Sequence, residues 1–174
     1  KEEGISGVSV LEHRGPDGAG CYVNNNIGLG HRRLSIIDLE TGAQPIANED
    51  NSIVIVCNGE IYNYQELREK SISKGHIFKT KSDSETILHL YEEQGSACLE
   101  DLNGIFSFAI WDSRDNKLFL ARDRLGVKPV FYYYTEYGIV FSSEIKSFLS
   151  LRVFRKELNP EALKDFFSLG YIMN

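Results

Sequence analysis

The stretch from Ile53 to Asn63 constrains this chain more than any other part of its sequence. An apolar, β-branched run, Ile-Val-Ile-Val-Cys, leads directly into Asn-Gly-Glu-Ile-Tyr-Asn. Such a run predicts a buried strand over 53–57. The residues that follow it, Asn58, Gly59 and Glu60, bring together a side-chain amide, an unhindered backbone N–H and a carboxylate.

Two interpretations of this strand end stand side by side. Asn-Gly is a strong signal for a hairpin turn between two strands. It also suits a binding site, because a glycine lets the main chain approach a ligand and an amide beside a free N–H forms an oxyanion hole. The spacing of Tyr64, Leu67 and Ile72 favours a helix over 62–74 instead of a second strand. That helix counts against the hairpin without excluding it.

Composition narrows the class of protein and its partners. The 174 residues suit a single domain, and the net charge of −6 argues against nucleic acid or an anionic membrane as partner. No apolar run approaches the ~18 residues that a membrane-spanning helix needs. The cysteines and histidines show no metal-ligand spacing, so we expect reduced thiols, a cytoplasmic protein and no metal site.

The remaining pattern predicts an α+β layered fold. One or two strands are expected within 27–37, broken near the arginines, and a short strand at 76–80. Ser82 as N-cap with Glu85 at N3 predicts a helix that ends at Gly95. Two hairpins are expected, joining 105–111 to 117–121 and 130–134 to 139–141, followed by a helix from Asn159 to Gly170.

Charged residues near the strand and helix ends are candidates for ligand binding. One arginine of the pair Arg32-Arg33 can hold a carboxylate through two parallel hydrogen bonds, although a solvated edge charge is the simpler interpretation. Glu60 and Asp83 together can hold an ammonium group, or each can be a surface carboxylate or a partner of the helix dipole. The dense segment 122–129 is interpreted as an ion-paired turn that shapes the sheet.

Five motifs occur in one order along the chain: His13-Arg14-Gly15-Pro16-Asp17-Gly18, the segment 30–38 (Gly-His-Arg-Arg-Leu-Ser-Ile-Ile-Asp), Asn58-Gly59-Glu60-Ile61-Tyr62-Asn63, Ser82-Asp83-Ser84-Glu85, and the segment 122–129 (Arg-Asp-Arg-Leu-Gly-Val-Lys-Pro). Together they closely resemble the glutamine amidotransferase domain of glutamine-hydrolysing asparagine synthetases. That domain is a class II amidotransferase with the N-terminal-nucleophile hydrolase fold. The resemblance covers nearly all of residues 13–171.

The resemblance implies a four-layer αββα sandwich of two antiparallel sheets. It implies hydrolysis of glutamine to glutamate and ammonia, which passes to an ATP-dependent synthetase domain that makes asparagine from aspartate. Glutamine and that downstream domain are the expected partners, and a homodimer is compatible with the family. The matching positions are Arg33 for the substrate α-carboxylate, Leu34 and Ile36 for pocket backbone, Asn58 and Gly59 for the oxyanion hole, and Glu60 and Asp83 for the substrate ammonium group.

The family nucleophile is an N-terminal cysteine whose own α-amino group acts as the base. This chain begins with Lys1, and Cys21, Cys57 and Cys98 all lie within it. We therefore expect the cysteine-bearing strand to precede Lys1 in the native protein and the synthetase domain to follow Asn174. ATP and Mg²⁺ belong to that later domain, and no cofactor is expected in this one. Two alternatives remain open, an amidotransferase with another acceptor and a homologue without a nucleophile that only binds glutamine or a partner protein.

Overall fold

The computed structural model describes residues 7–34 and 41–172. In chain order the strands are β1 (Gly18–Asn24), β2 (Ile27–Arg33), β3 (Ile46–Ala47), β4 (Ile53–Ile61), β5 (Gly104–Asp112), β6 (Lys117–Arg122), β7 (Phe131–Thr135) and β8 (Gly138–Ser142). The α-helices are α1 (Tyr64–Ser73), α2 (Asp83–Gln94), α3 (Cys98–Asp101) and α4 (Pro160–Leu169). Short 3-10 helices cover Glu12–Arg14, Gly95–Ala97 and Ile145–Ser150.

Strand β4 is at the centre of an antiparallel sheet with the order β3-β4-β5-β6. It pairs with β5 over its whole length, from Ile53 opposite Asp112 to Ile61 opposite Gly104. Strands β1 and β2 form one further antiparallel pair, and β7 and β8 form another. The two predicted hairpins, β5–β6 and β7–β8, are therefore confirmed.

The alternation of side chains along β4 separates the layers of the fold, because neighbouring strand residues point to opposite faces. Ile53, Ile55, Cys57 and Ile61 share one buried cluster with apolar residues of the helices, among them Leu67, Ile87 and Leu88. Val54 and Val56 face the other way and share a second cluster with Leu29 of β2. The helices thus cover one face of the sheet and the β1–β2 strands the other, which confirms the α+β layering.

Most of the predicted helix ends are confirmed. Ser82 is the N-cap of α2 and its side chain accepts a hydrogen bond from the Ser84 N–H, and Gly95 ends the helix. Asn159 caps α4 in the same way, ahead of Pro160. None of the helices in residues 7–34 and 41–172 is long and apolar enough to cross a bilayer.

The predicted strand at 76–80 is wrong, because this segment forms an irregular loop. Its backbone is held by the buried Glu85 carboxylate, which accepts hydrogen bonds from the N–H groups of Lys79 and Thr80 at 2.7 Å each. Glu85 therefore stabilises the loop and does not reach back to Ser82 as in a reciprocal capping box. The N–H of Ser82 donates to the Thr80 hydroxyl instead.

The prediction that the strand ends at Cys57 is also wrong, and so is the hairpin at Asn58-Gly59. Strand β4 continues to Ile61 through Asn58, Gly59 and Glu60. It can do so because β4 and β5 approach very closely here: a Cβ on Gly59 would lie 2.2 Å from the Ile105 carbonyl oxygen. The glycine thus allows two strands to pack, and its local role is not that of a turn residue.

Strand β2 runs without a break to Arg33, while 35–37 of the predicted strand region lie outside the described residues. The segment 122–129 is organised differently from the predicted ion-paired turn. The Asp123 carboxylate accepts backbone hydrogen bonds from Phe106, Leu125, Val127 and Lys128. Arg122 donates to the carbonyl oxygens of Gly126 and Lys128. The turn does shape the sheet, but through backbone groups and not through an Arg122–Asp123 pair.

Candidate functional site

A cavity of about 280 Å³ opens beside the second half of β4. It brings together the sequence-predicted site residues that the structure describes, which are Arg33, Leu34, Asn58, Gly59, Glu60 and Asp83. Ile36, the remaining predicted residue, lies outside the described residues. The predicted residues come from three separate elements, the end of β2, the middle of β4 and the first turn of α2.

A second cavity of about 470 Å³ adjoins the first and shares Cys57 and Asn58 with it. Its walls are mostly apolar side chains, such as Val56, Phe108 and Phe141, and the described residues that line it include no carboxylate, lysine or arginine. Among the described residues, the charged side chains that suit a zwitterionic substrate therefore line the smaller cavity.

Asn58 supplies a free hydrogen-bond donor to the cavity wall. Its amide nitrogen Nδ2 is buried and has no hydrogen-bond partner among residues 7–34 and 41–172. A buried donor without a partner costs roughly 1–3 kcal/mol. Because this donor lies beside a cavity, it can form a hydrogen bond with an acceptor atom of a bound ligand.

The backbone N–H of Gly59 points to the same side as the cavity. Opposite Gly59 on β5 is Phe106, whose N–H and C=O both bond to Asp123 on the far side from β4. Residues that face each other in an antiparallel pair either exchange both hydrogen bonds or direct both away. Gly59 therefore directs its N–H away from β5, toward the edge where the short β3 has already ended.

Two carboxylates line the cavity from different directions. Asp83 is the first residue of α2 and is buried, and its Oδ2 accepts a hydrogen bond of 2.8 Å from the Ile61 N–H. Glu60 is exposed in β4, one residue before Ile61. Asp83 is therefore more than a partner of the helix dipole, because it also ties the start of α2 to the end of β4.

Two arginines, Arg32 and Arg33, lie at the end of β2. Arg32 forms an ion pair with Glu12, with Nη2 and Oε1 3.2 Å apart. Both arginines line the cavity, together with Arg14 and Lys128. Arg14 and Lys128 belong to the first and last of the five sequence motifs, where no local pattern assigned a role to either residue.

Sequence reasoning missed two residues that fix the cavity wall. Gln44 extends the sheet with its side chain, accepting from the Cys57 N–H at 2.6 Å and donating to the Cys57 carbonyl at 3.0 Å. His31 donates through Nε2 to the same carbonyl at 3.1 Å. Burial lowers the pKa of His31 to about 4, so its ring is neutral at pH 7. No local pattern marks either residue, because both act on a strand that is remote in sequence.

Cys57 is a packing residue. Its side chain belongs to the buried cluster between the sheet and the helices. Burial, together with the charge of Asp83, raises the pKa of the Cys57 thiol to about 12. A thiolate is the reactive form of cysteine, so this thiol is not suited to be a nucleophile near neutral pH.

We expect thiol reagents to distinguish the cysteines of this chain. At pH 8, Ellman's reagent should modify the exposed Cys21 and leave Cys57 and Cys98 unmodified, since both are buried and burial raises the pKa of Cys98 to about 11. The Cys21→Ser variant should lose the reaction in the native state and show both remaining thiols after denaturation. Rapid native-state labelling of Cys57, located by peptide mass spectrometry, would contradict this assignment.

Comparison with known proteins places the chain in a family. A sequence model described as a glutamine amidotransferase domain matches residues 4–174. The chain is 48% identical to the glutamine-hydrolyzing asparagine synthetase 2 of Bacillus subtilis strain 168, over 94% of this chain and 22% of that protein. It is 41% identical to asparagine synthetase 3 of the same strain, over 94% of this chain and 27% of that protein.

Among solved structures, the fold is similar to a glutamine phosphoribosylpyrophosphate amidotransferase from B. subtilis complexed with ADP and GMP. The TM-score is 0.70 at 22% identity, over 86% of this chain and 40% of the other. The predicted α+β sandwich of the N-terminal-nucleophile amidotransferases is thereby confirmed. The chain belongs to the glutamine amidotransferase domain family. It spans about a quarter of the length of the asparagine synthetases that it matches.

Proposed function

We propose that this chain is the glutaminase domain of a larger amidotransferase and hydrolyses the side-chain amide of glutamine to glutamate and ammonia. The observation that carries the proposal is the unpartnered, buried amide of Asn58 at the wall of the cavity. With the Gly59 N–H beside it, the strand offers two donors for a negatively charged oxygen. Such an oxygen develops when a thiolate attacks an amide carbonyl.

The rest of the cavity suits the other end of a glutamine molecule. The proposal assigns Arg33 to the α-carboxylate, which a guanidinium can hold with two parallel hydrogen bonds. It assigns Glu60 and Asp83 to the α-ammonium group, with Leu34 and Ile36 contributing backbone. The cavity is thus lined by cationic side chains, anionic side chains and a pair of neutral donors. These match the carboxylate, the ammonium group and the side-chain amide of glutamine.

The proposed nucleophile is an N-terminal cysteine, as the family resemblance implies, with its own α-amino group as the base. Asn58 and Gly59 then stabilise the tetrahedral oxyanion, and the ammonia leaves when the amide C–N bond breaks. Water finally releases glutamate from the thioester. No cofactor takes part in these steps, and ATP and Mg²⁺ belong to the downstream domain of the proposed enzyme.

The proposed acceptor of the ammonia is aspartate, activated by an ATP-dependent synthetase domain of the same protein. Support comes from the names of the relatives, which are glutamine-hydrolyzing asparagine synthetases. A homodimer and a cytoplasmic location complete the proposal. Radiolabelled or ¹⁵N-amide glutamine supplied to the full-length protein with aspartate and ATP tests it: label should appear in asparagine. Label in another product would support the glutaminase activity but show that aspartate is not the acceptor.

Arg33→Lys tests substrate binding by the cavity. The lysine keeps the positive charge but loses the second hydrogen bond to the α-carboxylate. We expect the KM for glutamine to rise about 10–100-fold with kcat largely unchanged, since this contact is equally present in the ground and transition states. Glutaminase kinetics of the full-length protein provide the measurement. Arg155→Lys, at an exposed position outside the cavity lining, is the control.

An unchanged KM in Arg33→Lys would contradict a role of Arg33 in substrate binding.

The two carboxylates differ as probes of the ammonium contact. Asp83→Asn is not a specific probe, because Asp83 also accepts hydrogen bonds from the Ile61 N–H and from the hydroxyls of Ser82 and Ser84. Glu60→Gln is the preferable probe of the ammonium contact, since Glu60 is exposed. It should raise KM without a loss of stability.

A further inference from the structure

A cluster of two histidines and two glutamates lies away from the cavity, between the second half of α2, the loop that precedes α2 and the turn before β4. It consists of Glu49, His76, His89 and Glu92. One side-chain ligand atom from each residue lies within 4.8 Å of the others. The spacing of the histidines along the chain predicted no such site. It forms only because the loop carrying His76 packs against α2.

The two imidazoles present the same nitrogen to the centre of this cluster. His89 Nδ1 is 3.5 Å from Glu92 Oε2 and 3.8 Å from Glu49 Oε2. His76 Nδ1 is 3.7 Å from the same oxygen of Glu92 and 3.6 Å from Glu49 Oε1. These separations are longer than the donor–acceptor distance of a direct hydrogen bond. The edge of a tetrahedron with metal bonds of 2.0–2.1 Å is about 3.4 Å. The four His–Glu separations exceed it by a few tenths of an ångström, and the whole set of four ligand atoms lies within 4.8 Å, so zinc binding must draw the four side chains together.

The other nitrogen of each imidazole faces a carboxylate outside the cluster. His76 Nε2 is 3.2 Å from Glu93 Oε1, and His89 Nε2 is 3.8 Å from Glu85 Oε1. Histidines that bind metals almost always donate their second N–H to such a partner, which fixes the tautomer and the ring orientation. Glu85 is itself held by the Lys79 and Thr80 backbone. Each ring therefore has a carboxylate beside its second nitrogen, at ion-pair distance and not in a formed hydrogen bond.

Each glutamate of the cluster is held through its Oε1, and Glu49 faces His76 with Oε1 and His89 with Oε2. Glu49 Oε1 accepts the Ile77 N–H at 2.9 Å, and Glu92 Oε1 accepts from Asn48 Nδ2 at 2.9 Å. The second oxygen of Glu92 is buried and has no hydrogen-bond partner among the described residues. Two carboxylates are thus fixed in place, and Glu92 Oε2 can accept a further ligand.

The burial of His89 is a second observation that favours a cation at this cluster. Its side chain is 0% exposed, and neither ring nitrogen has a hydrogen-bond partner within residues 7–34 and 41–172. Buried polar groups are almost always satisfied, so each exception needs an explanation. A cation at the centre of the cluster would satisfy Nδ1 of His89 and the open oxygen of Glu92 together.

We propose that Glu49, His76, His89 and Glu92 form a structural zinc site. Two imidazoles favour Zn²⁺ over Mg²⁺ or Ca²⁺, which prefer oxygen ligands alone. Four protein ligands leave no open position, which is typical of a structural site and not of a catalytic one. The ion joins the loop of His76 and the turn of Glu49 to α2, the helix that begins with Asp83. This site is independent of the proposed glutaminase activity.

The test removes metal from the protein with EDTA, removes the chelator, adds excess Zn²⁺ and separates unbound zinc by gel filtration. Inductively coupled plasma mass spectrometry should find one equivalent of Zn²⁺ in the wild type that is absent from His76→Gln and from Glu92→Gln. Both positions are at the edge of the cluster, with side chains 16% and 22% exposed, so these variants should fold. The exposed His13 lies elsewhere, and His13→Gln is the matched control that keeps the full content.

Affinity and coordination give two further readouts. Removal of a ligand should weaken Zn²⁺ binding by more than about 100-fold. Glu93 is not a ligand but lies beside His76 Nε2 and pairs with Lys74, and Glu93→Gln should weaken binding about 10-fold. Co²⁺ in place of zinc should give the intense visible absorption of a tetrahedral site in the wild type and not in His76→Gln. Equal Zn²⁺ binding by wild type and His76→Gln, no binding by either, or a weak octahedral Co²⁺ spectrum would overturn the proposal.

Discussion

Replacing Asn58 with alanine is expected to lower kcat for glutamine hydrolysis by about 10²–10³-fold while glutamine binding is largely kept. The amide nitrogen of Asn58 is buried beside the cavity without a partner among the described residues. In the proposed mechanism it donates only to the charge that develops in the transition state, so its loss acts on kcat and not on binding. Steady-state kinetics of the full-length protein, with a separate measurement of glutamine binding, check this result.

The stability of the same variant distinguishes a functional role of Asn58 from a structural one. Because the Nδ2 donor is unsatisfied, its removal relieves a desolvation cost, and the free energy of unfolding of Asn58→Ala should be unchanged or higher. Asn58→Asp keeps the size of the side chain, removes the donor and adds a negative charge, so it should also be inactive. An Asn58→Ala variant that turns over normally, or that loses stability together with activity, would end the oxyanion assignment.

Replacing Gly59 with alanine is expected to have the largest effect on folding. The added Cβ would lie 2.2 Å from the Ile105 carbonyl oxygen and 2.6 Å from the Phe106 Cα, both of which are backbone atoms of the paired strand. Backbone within a sheet cannot move aside as a flexible side chain does. We expect a loss of about 3 kcal/mol or more in the free energy of unfolding, at the upper end of the usual range for overpacking. For a chain of this size that lowers Tm by roughly 6–12 °C.

Gly28→Ala is the matched control for this effect. Gly28 is also a strand glycine, in β2, but a Cβ there meets nothing within 4 Å. Its replacement should change Tm by no more than about 2 °C, since glycine in a strand interior is at best neutral. Thermal unfolding followed by circular dichroism compares the two variants. Similar Tm values for both would show that the β4–β5 approach at Gly59 tolerates a side chain.

Local sequence patterns predicted the elements whose determinants are close together along the chain. Ser82 and Gly95 define the ends of α2, and Asn159 with Pro160 defines the start of α4, because caps act within one helical turn. The hairpins of the second half of the chain followed from period-two alternation. The family resemblance added Arg33 and Asp83 as neighbours of the Asn58 strand, a proximity that spacing alone could not provide.

The extension of β4 to Ile61 depends on a partner that is distant in sequence. Asn58 and Gly59 have the local preferences of a turn, and they are held in a strand because β5 pairs with them over 104–107 and packs closely against Gly59. Tertiary contacts of this kind override local propensity. The same holds for the loop at 76–80, where the buried Glu85 carboxylate takes the hydrogen bonds that a strand would have made with a neighbour.

The sequence by itself determined the family, the layered α+β class, the helix ends and the chemical groups of the cavity, since each depends on residue identity and short-range order. Only the tertiary structure decided how those groups are used. It left the Asn58 amide without a partner and buried the Cys57 thiol, which raises the pKa of that thiol to about 12. It also brought His76 and His89 to within 4.7 Å between ring centres. Hydrogen-bond satisfaction, burial and the meeting of remote side chains are properties of the packed chain, because they depend on contacts that no segment contains alone.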